Sequence, residues 1–290
     1  MAKPTQARSQ LSRQLSLLVA QAPNIPLEMG LYPWRFDAPF SELNWNSYGA
    51  RKNMFQVLRS CIIPHTEKRM NLRSGYSIPS SSLVAHEDQE VWFFLNGPGG
   101  DKPLLQANGD ALAELFGRKI NLLHNASEGL INDLLECVTG KTGLNSGRTA
   151  TSLCKLLEVE LRQRNKVVLI AHSQGASISF HAIDKLAERL RKAGRDLSLL
   201  GKLELYTFGA ACTDRTLPAE VYAEHFANAH DVIANVGILA SEEVAGDQVF
   251  VSRQGRGHLL NAHYLPDFKL GKYHGRQGRG SRLSTYLRRD

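Results

Sequence analysis

Cysteine is scarce in this sequence, and no long hydrophobic run is present. The 290 residues include four cysteines, which are widely separated and form no pair at the spacing of a metal site. We therefore expect free thiols, no metal and no cofactor. No apolar stretch approaches the about 20 residues that a membrane-spanning helix needs. The amino-terminal residues also lack the apolar core of a secretory signal, so the sequence predicts a cytoplasmic protein.

The basic residues are concentrated at the two ends of the chain, whose formal net charge is +7 at pH 7. Residues 269–290 hold seven Lys and Arg residues against the single acid Asp290, and residues 1–27 hold three basic residues and no acid. The remaining body is therefore close to neutral. The basic tail could make a weak contact with an anionic surface, although a solvated and poorly ordered terminus is the simpler interpretation. No recognisable binding module accompanies the tail, so we expect no specific nucleic-acid partner.

Four segments differ in their residue patterns. They are a basic amino-terminal arm at residues 1–27, an accessory segment of edge strands or a flap at 28–89, an α/β domain at 90–269, and the basic tail at 270–290. Within the α/β domain, short β-rich runs alternate with longer helical patterns. Strand signals occur at Val91–Leu95, Lys119–Leu123, Lys166–Ala171, Leu203–Phe208, Glu224–Asn228 and Gln248–Ser252, and helical patterns at Leu104–Phe116, Leu130–Val138, Ala150–Arg162, Gln174–Lys192 and Leu259–Lys269. This alternation predicts an α/β fold, with a mainly parallel central sheet and helices on both faces.

A serine directly follows the strongest strand signal. Residues 171–175 read Ala-His-Ser-Gln-Gly, after the run Lys166–Ala171 and before a helical pattern. A sharp turn between strand and helix exposes a serine hydroxyl and brings the two backbones close together, so small residues must flank the serine. Ser173 is therefore the candidate nucleophile, in preference to a serine that only caps the helix. His172 is expected to pack or to form a local hydrogen bond.

The stretch from residue 90 to about residue 269 resembles an α/β-hydrolase of the lipase-like type, with Ala-His-Ser-Gln-Gly as its nucleophile elbow. Ala171 stands where the usual first glycine of the elbow would be. The resemblance implies the α/β-hydrolase fold and hydrolysis by a serine nucleophile. It also implies a catalytic triad in the chain order serine, acid, histidine.

The resemblance assigns the other two triad members by their positions after strands. The acid should follow the second strand beyond the nucleophile strand, which favours Asp231, with Asp214 after the preceding strand as the runner-up. The histidine should lie in the loop after the last strand. The run Arg253–His258 contains glycines and ends in His258, the first choice for the general base. His263, on the following helical run, is the alternative base.

An oxyanion hole requires two fixed N–H donors. One should be the backbone N–H of Gln174, the residue after the nucleophile. The loop Asn96–Gly100 resembles the His-Gly loop of lipases, with asparagine in place of the histidine. Pro98 has no N–H. Gly97 is therefore the candidate for the second donor, and Gly99 is the alternative.

These residues together predict a serine hydrolase that cleaves a carboxylic ester through an acyl-enzyme intermediate. The substrate would be a small-molecule or lipid ester, and the apolar run Val232–Ala240 either lines an acyl pocket or is an ordinary buried segment. Thioesters, amides and acyl transfer use the same catalytic groups. One alternative is a binding or scaffold protein that keeps the fold after its chemistry has lapsed. Another is a nucleic-acid or membrane-surface binder that acts through the basic tail.

Overall fold

The computed structural model describes most of the α/β domain and the tail, with short pieces of the accessory segment. The described residues are 35, 41–44, 73–79, 89–97, 102–125, 144–212, 217–240, 248–275 and 278–288. The predicted helix at Leu130–Val138, the alternative acid Asp214, the alternative donor Gly99 and the arm at residues 1–27 lie outside them.

The described strands form one sheet of eight strands in the order β1-β3-β2-β4-β5-β6-β7-β8. Neighbours from β3 through β7 are parallel, whereas β1 and β8 pair antiparallel at the two edges. The strands are β1 Arg73–Ser77, β2 Glu90–Leu95, β3 Ile120–Leu123, β4 Lys166–His172, β5 Leu203–Phe208, β6 Tyr222–His230, β7 Val249–Arg256 and β8 His274–Gly275. This mainly parallel sheet confirms the predicted fold class.

Helices cover both faces of the sheet. They are α1 Lys102–Phe116, α2 Leu144–Gln163, α3 Gln174–Lys192, α4 Val232–Val236 and α5 Leu265–Lys269, with a π-helix at Leu260–Tyr264 and 3-10 helices at Leu197–Lys202, Ile238–Ala240 and Leu283–Tyr286. Side chains alternate along β4: Leu169 packs in the cluster with α2 and α3, and Ile170 in the cluster with α1 and α5. Both faces of a central parallel strand are therefore apolar, which is why the strand reads as a continuous hydrophobic run.

Strand β7 is longer than the sequence predicts. Residues Arg253–Arg256, expected to belong to a loop, continue the strand, and His230 pairs with Arg256 beyond an irregularity between Asn228 and His230. The bulge lets β6 and β7 remain paired past the end of the apolar pattern. The loop before His258 is correspondingly short.

The described part of the basic tail contacts the sheet, although most of its residues are exposed as expected for a solvated terminus. Leu283 is fully buried. The Glu224 carboxylate accepts hydrogen bonds from the backbone N–H groups of Arg282 (2.6 Å) and Leu283 (3.1 Å) and from the Ser281 hydroxyl (2.7 Å). This carboxylate lies near the amino end of β6, where it accepts these three hydrogen bonds from the tail. The composition of the tail does not predict them.

Several basic side chains of the tail form ion pairs with acids of the body. The pairs are Lys272 with Asp267 (2.9 Å), Arg282 with Glu204 (3.2 Å) and Arg288 with Glu114 (3.5 Å). The Arg282 guanidinium also lies 3.4 Å from the centre of the Tyr222 ring. These contacts reduce the positive charge that the tail presents to an anionic surface.

Candidate active site

The turn between β4 and α3 holds Ser173 in a strained conformation. Its φ of 56° and ψ of −124° make it the one non-glycine residue with positive φ in the part of the chain that the structure describes. Such a backbone conformation is costly for a residue with a Cβ and is characteristic of functional sites. Ala171 is fully buried in β4 and pairs with Leu95 and Thr207. Its methyl group is therefore part of the core.

Gly175 lets the helix approach the neighbouring strand end. A Cβ at this position would lie 2.5 Å from the Leu95 carbonyl oxygen and 2.7 Å from that of Asn96. Both contacts are with backbone, which cannot rotate away. The elbow requires a small residue two positions after Ser173, and in this structure the reason is the lack of space for a Cβ at Gly175.

Ser173, His258 and Asp231 form a continuous hydrogen-bonded chain. The Ser173 Oγ lies 2.8 Å from Nε2 of His258, and Nδ1 of His258 lies 2.7 Å from Oδ2 of Asp231. The three residues follow β4, β7 and β6, so each stands at a carboxyl end of a parallel strand. All three are buried, and Asp231 is completely so.

The strand order, the parallel pairing of the central strands and the turn at Ser173 are all features of a single fold. The fold is the α/β-hydrolase fold. The candidate nucleophile, acid and base occupy it in the chain order that the sequence predicts, and the structure brings all three side chains into contact.

His263, the alternative base, lies elsewhere. It is buried in the π-helix after His258, and its Nδ1 accepts a hydrogen bond from the Leu259 N–H over 3.1 Å. The imidazole within hydrogen-bonding distance of Ser173 Oγ belongs to His258.

Asp231 is fixed by donors beyond the histidine. Its Oδ1 accepts the Ile233 N–H over 2.9 Å, so the carboxylate also caps the short helix α4. Its Oδ2 accepts the Tyr264 hydroxyl over 2.5 Å in addition to His258. Sequence reasoning missed Tyr264, because a tyrosine six residues after a histidine matches no known catalytic spacing.

His172 holds the loop that carries His258. Its Nε2–H donates to the His258 carbonyl oxygen over 2.7 Å, and the two rings lie 4.8 Å apart. Burial, together with the neighbouring His258, lowers the pKa of His172 to about 3. The ring is therefore neutral at physiological pH and acts as a hydrogen-bond donor, to a residue distant in sequence rather than to the local partner that was expected.

Asn228 supports the same loop from the side of β6. Its Nδ2 donates to the carbonyl oxygens of Gly257 (3.1 Å) and Arg256 (3.4 Å), and its Oδ1 accepts the Tyr273 hydroxyl over 2.6 Å. A Cβ on Gly255 would lie 2.3 Å from Asn228 Oδ1. The glycine of this segment therefore provides space for the amide that fixes the loop.

The predicted oxyanion loop lies against Ser173. A Cβ on Gly97 would be 2.8 Å from the Ser173 Cβ and 3.3 Å from its Oγ. Gln174 is the first residue of α3, where backbone N–H groups have no partner within the helix. The roles of Gly97 and Gln174 as donors stay predictions, and Pro98 lies outside the described residues.

Buried amides connect three strand ends beside this loop. Asn96 Oδ1, after β2, accepts the Asn125 N–H over 2.8 Å, and Asn125 Nδ2, after β3, donates to Gln174 Oε1 over 2.7 Å. All three side chains are at least nine-tenths buried. They hold the start of α3 and the loop after β2 in a fixed relation to each other.

The segment proposed from sequence as an acyl pocket forms α4 and a 3-10 helix. Its apolar residues Val232, Ile233, Ala234, Val236 and Ile238 are buried, and Ala234 and Ile238 belong to the core cluster shared with α3. A Cβ on Gly237 would lie 2.2 Å from the Ala210 carbonyl oxygen. These contacts favour the interpretation of an ordinary buried segment.

The described residues contain no cluster of three or more His, Cys, Asp or Glu side chains suited to a metal ion. None of the described helices combines the length and the hydropathy of a membrane span.

No protein-family model and no curated protein matches the sequence. Several solved structures match the chain, among them two hydrolases. One is an α/β serine hydrolase without a lid from Xanthomonas campestris, with a TM-score of 0.39, 17% identity, and coverage of 62% of this chain and 76% of that one. The other is a mutant of the esterase rPPE, with a TM-score of 0.40, 11% identity, and coverage of 71% and 77%. Both TM-scores and both sequence identities are low. The fold of this chain therefore follows from its own strand order and from the turn at Ser173.

Proposed function

We propose that the protein is a serine hydrolase that cleaves a carboxylic ester through an acyl-enzyme intermediate. The observation that carries this proposal is the hydrogen-bonded chain from Ser173 through His258 to Asp231, with Ser173 held at a φ of 56°. A buried serine in a strained turn, bonded to an imidazole that is itself bonded to a buried carboxylate, is the arrangement that activates a hydroxyl group.

The first half-reaction transfers the acyl group to the protein. Ser173 Oγ attacks the ester carbonyl carbon while His258 Nε2 accepts the hydroxyl proton. The carbonyl oxygen becomes an oxyanion, which accepts hydrogen bonds from the N–H groups of Gln174 and Gly97. When the intermediate collapses, the bond to the alcohol oxygen breaks, and His258 returns the proton to the leaving alcohol.

The second half-reaction restores the serine. Water replaces the alcohol, His258 accepts a proton from it, and the resulting hydroxide attacks the acyl carbon. Collapse releases the carboxylic acid and returns the proton to Ser173. Asp231 keeps its negative charge throughout, orienting His258 and stabilising the imidazolium form.

Hydrolysis of p-nitrophenyl esters of short and long acyl chains tests this proposal directly. We expect a burst of p-nitrophenol equal to the protein concentration, followed by slower turnover, because the acyl-enzyme accumulates. Ser173→Ala should lower kcat by at least about 10⁴-fold. The rates of hydrolysis of a thioester and an anilide with the same acyl group show whether the protein prefers an ester, a thioester or an amide bond. Folded wild-type protein that hydrolyses none of these compounds would contradict the proposal.

A further inference from the structure

The buried hydroxyl of Tyr264 contacts the carboxylate that supports the proposed base. It donates to Oδ2 of Asp231, the same oxygen that accepts Nδ1–H of His258. We infer that Tyr264 is a positioning residue, which fixes Asp231 and limits how strongly this carboxylate attracts a proton to His258. The inference rests on the proposed function, because it assigns a role within that site.

The Tyr264 hydroxyl has a defined orientation. Its oxygen accepts the Asn228 N–H over 3.3 Å, which leaves its proton directed to Asp231 at 2.5 Å. The side chain is fully buried. Burial, reinforced by the charge of Asp231, raises the pKa of Tyr264 well above its ordinary value. The hydroxyl therefore stays protonated and acts as a donor over the whole working range of pH.

Gly209 provides the space in which these groups meet. It follows β5 with a φ of 56°, and a Cβ there would lie 2.9 Å from the Tyr264 hydroxyl, 3.0 Å from Cε1 of His258 and 3.1 Å from Oδ2 of Asp231. A side chain at this position would enter the space between all three. The end of β5 thus leaves room for the tyrosine to share the carboxylate oxygen.

Sharing one oxygen between two donors has an electrostatic consequence. The Tyr264 hydroxyl stabilises negative charge on Oδ2 and so weakens the attraction of that oxygen for a positively charged imidazole. Without the hydroxyl, the carboxylate would support the protonated form of His258 more strongly. It would also lose one of the contacts that fix its rotation, because Oδ2 would keep the bond to His258 and Oδ1 the helix-capping bond to Ile233, but the bond to Tyr264 would be gone.

The substitution Tyr264→Phe isolates the hydroxyl. The phenyl ring retains the stacking on Tyr273, whose ring centre lies 6.2 Å away at an interplanar angle of 6°. Tyr206→Phe is a matched control, because Tyr206 is also fully buried and donates to a buried carboxylate, Glu204, over 2.8 Å. That pair lies at the amino end of β5, the end opposite the site.

Two measurements on wild type, Tyr264→Phe and Tyr206→Phe test the inference. The first follows the Cε1–H resonance of His258 by NMR across pH, and the second records the pH profile of kcat/KM for a p-nitrophenyl ester. In Tyr264→Phe we expect both midpoints to rise by about half a pH unit. At the alkaline plateau, kcat/KM should fall about 3- to 10-fold, because Asp231 is less firmly held. Tyr206→Phe should change neither midpoint.

A His258 titration that is identical in wild type and Tyr264→Phe would overturn the inference, as would an equal shift in Tyr206→Phe. The NMR measurement requires no substrate, so it separates the two proposals. If wild type hydrolyses no ester while the titration midpoint rises in Tyr264→Phe, the proposed function fails and the coupling of Tyr264 to His258 through Asp231 is supported.

Discussion

Two glycines show how closely the backbone packs around Ser173. A methyl group on Gly175 would overlap the carbonyl oxygen of Leu95, and one on Gly97 would lie 2.8 Å from the Ser173 Cβ. The first contact is between a helix and a strand end, and the second is between a loop and the candidate nucleophile itself. The geometry of Ser173 therefore depends on the absence of a Cβ at Gly175 and Gly97, as well as on the hydrogen-bonding partners of the serine.

Gly97→Ala is expected to impair hydrolysis while the protein stays folded. The added methyl group must displace either the loop or Ser173, and a displaced loop cannot offer its N–H to the oxyanion. Loss of one such donor lowers kcat by about 100-fold. A suitable control is Gly147→Ala in α2, where a Cβ would meet no atom within 4 Å. Wild-type kcat in Gly97→Ala would show that this loop has no part in the chemistry.

The contact between Ser173, His258 and Asp231 was predictable, because a local motif and the chain order that the resemblance implies constrain these three residues. Ser173 is identified by its neighbours, and Asp231 and His258 by the strands that they follow. No comparable rule identifies Tyr264 or the donor role of His172, because each depends on a tertiary contact between groups distant in sequence. Local patterns thus predict the candidate reacting groups and miss the groups that hold them.

A carboxylate from the accessory segment caps the amino terminus of the helix after His258. Glu42 accepts the backbone N–H groups of Asn261 (2.7 Å) and Ala262 (2.8 Å), at the start of the π-helix that contains His263 and Tyr264. A negative charge at a helix amino terminus satisfies donors that the helix cannot satisfy itself. Part of the accessory segment therefore supports the element that carries the Asp231 donor.

The burial of Glu42 should make stability depend on pH. Burial raises the pKa of Glu42 from 4.5 to about 7 in the folded protein, which therefore binds this proton more tightly than the unfolded chain does. The contribution is complete below the unfolded pKa and is lost as pH rises through the folded one. Glu42→Gln cannot ionise, so its free energy of unfolding should lose about 3 kcal/mol less than wild type between about pH 4 and pH 8.

Urea unfolding at a series of pH values measures this difference. Glu188→Gln is the control, because the Glu188 side chain is 65% exposed and should leave the pH dependence unchanged. The same slope of stability against pH in Glu42→Gln and wild type would show that burial does not raise the pKa of Glu42 in the folded protein.

Element boundaries were predictable where hydrophobic periodicity is strong. The helix Gln174–Lys192 has the predicted limits, and the limits of β2 and β4 differ by one residue. Strand β7 was underestimated because residues Arg253–Arg256 are mostly polar and exposed, and they pair with β6 through backbone hydrogen bonds. Backbone pairing that continues beyond the apolar core leaves no signal in hydrophobicity.

The two ends of the sheet have different tasks in the whole molecule. The carboxyl ends of β4, β6 and β7 carry the candidate active site, while the amino ends of β5 and β6 bind the tail through Glu204 and Glu224. Composition shows that the tail is basic, but it does not show that two buried glutamates of the body, Glu204 and Glu224, form hydrogen bonds with it. This is why the packing of the tail could not be foreseen.

The buried side chain of Leu283 in the tail should contribute to stability without affecting the chemistry. Leu283→Ala removes a fully buried side chain from the core cluster that includes Phe116 and Trp92, so the free energy of unfolding should fall by about 2 to 4 kcal/mol. Because the site lies at the other end of the sheet, kcat/KM should stay at the wild-type value. The control is Leu270→Ala, whose side chain is 67% exposed. Equal urea midpoints for the two variants would show that the tail does not pack as described.

The proposed mechanism requires His258 to activate Ser173. Labelling with a fluorophosphonate probe, followed by peptide mass spectrometry, tests this in wild type and in Ser173→Ala, His258→Ala and His263→Ala. We expect one adduct, on Ser173, that is absent from Ser173→Ala, nearly lost in His258→Ala and retained in His263→Ala. Folded wild-type protein that takes up no label would show that Ser173 is not activated, and it would favour a scaffold protein whose chemistry has lapsed. Labelling that survives His258→Ala but not His263→Ala would transfer the role of base to His263.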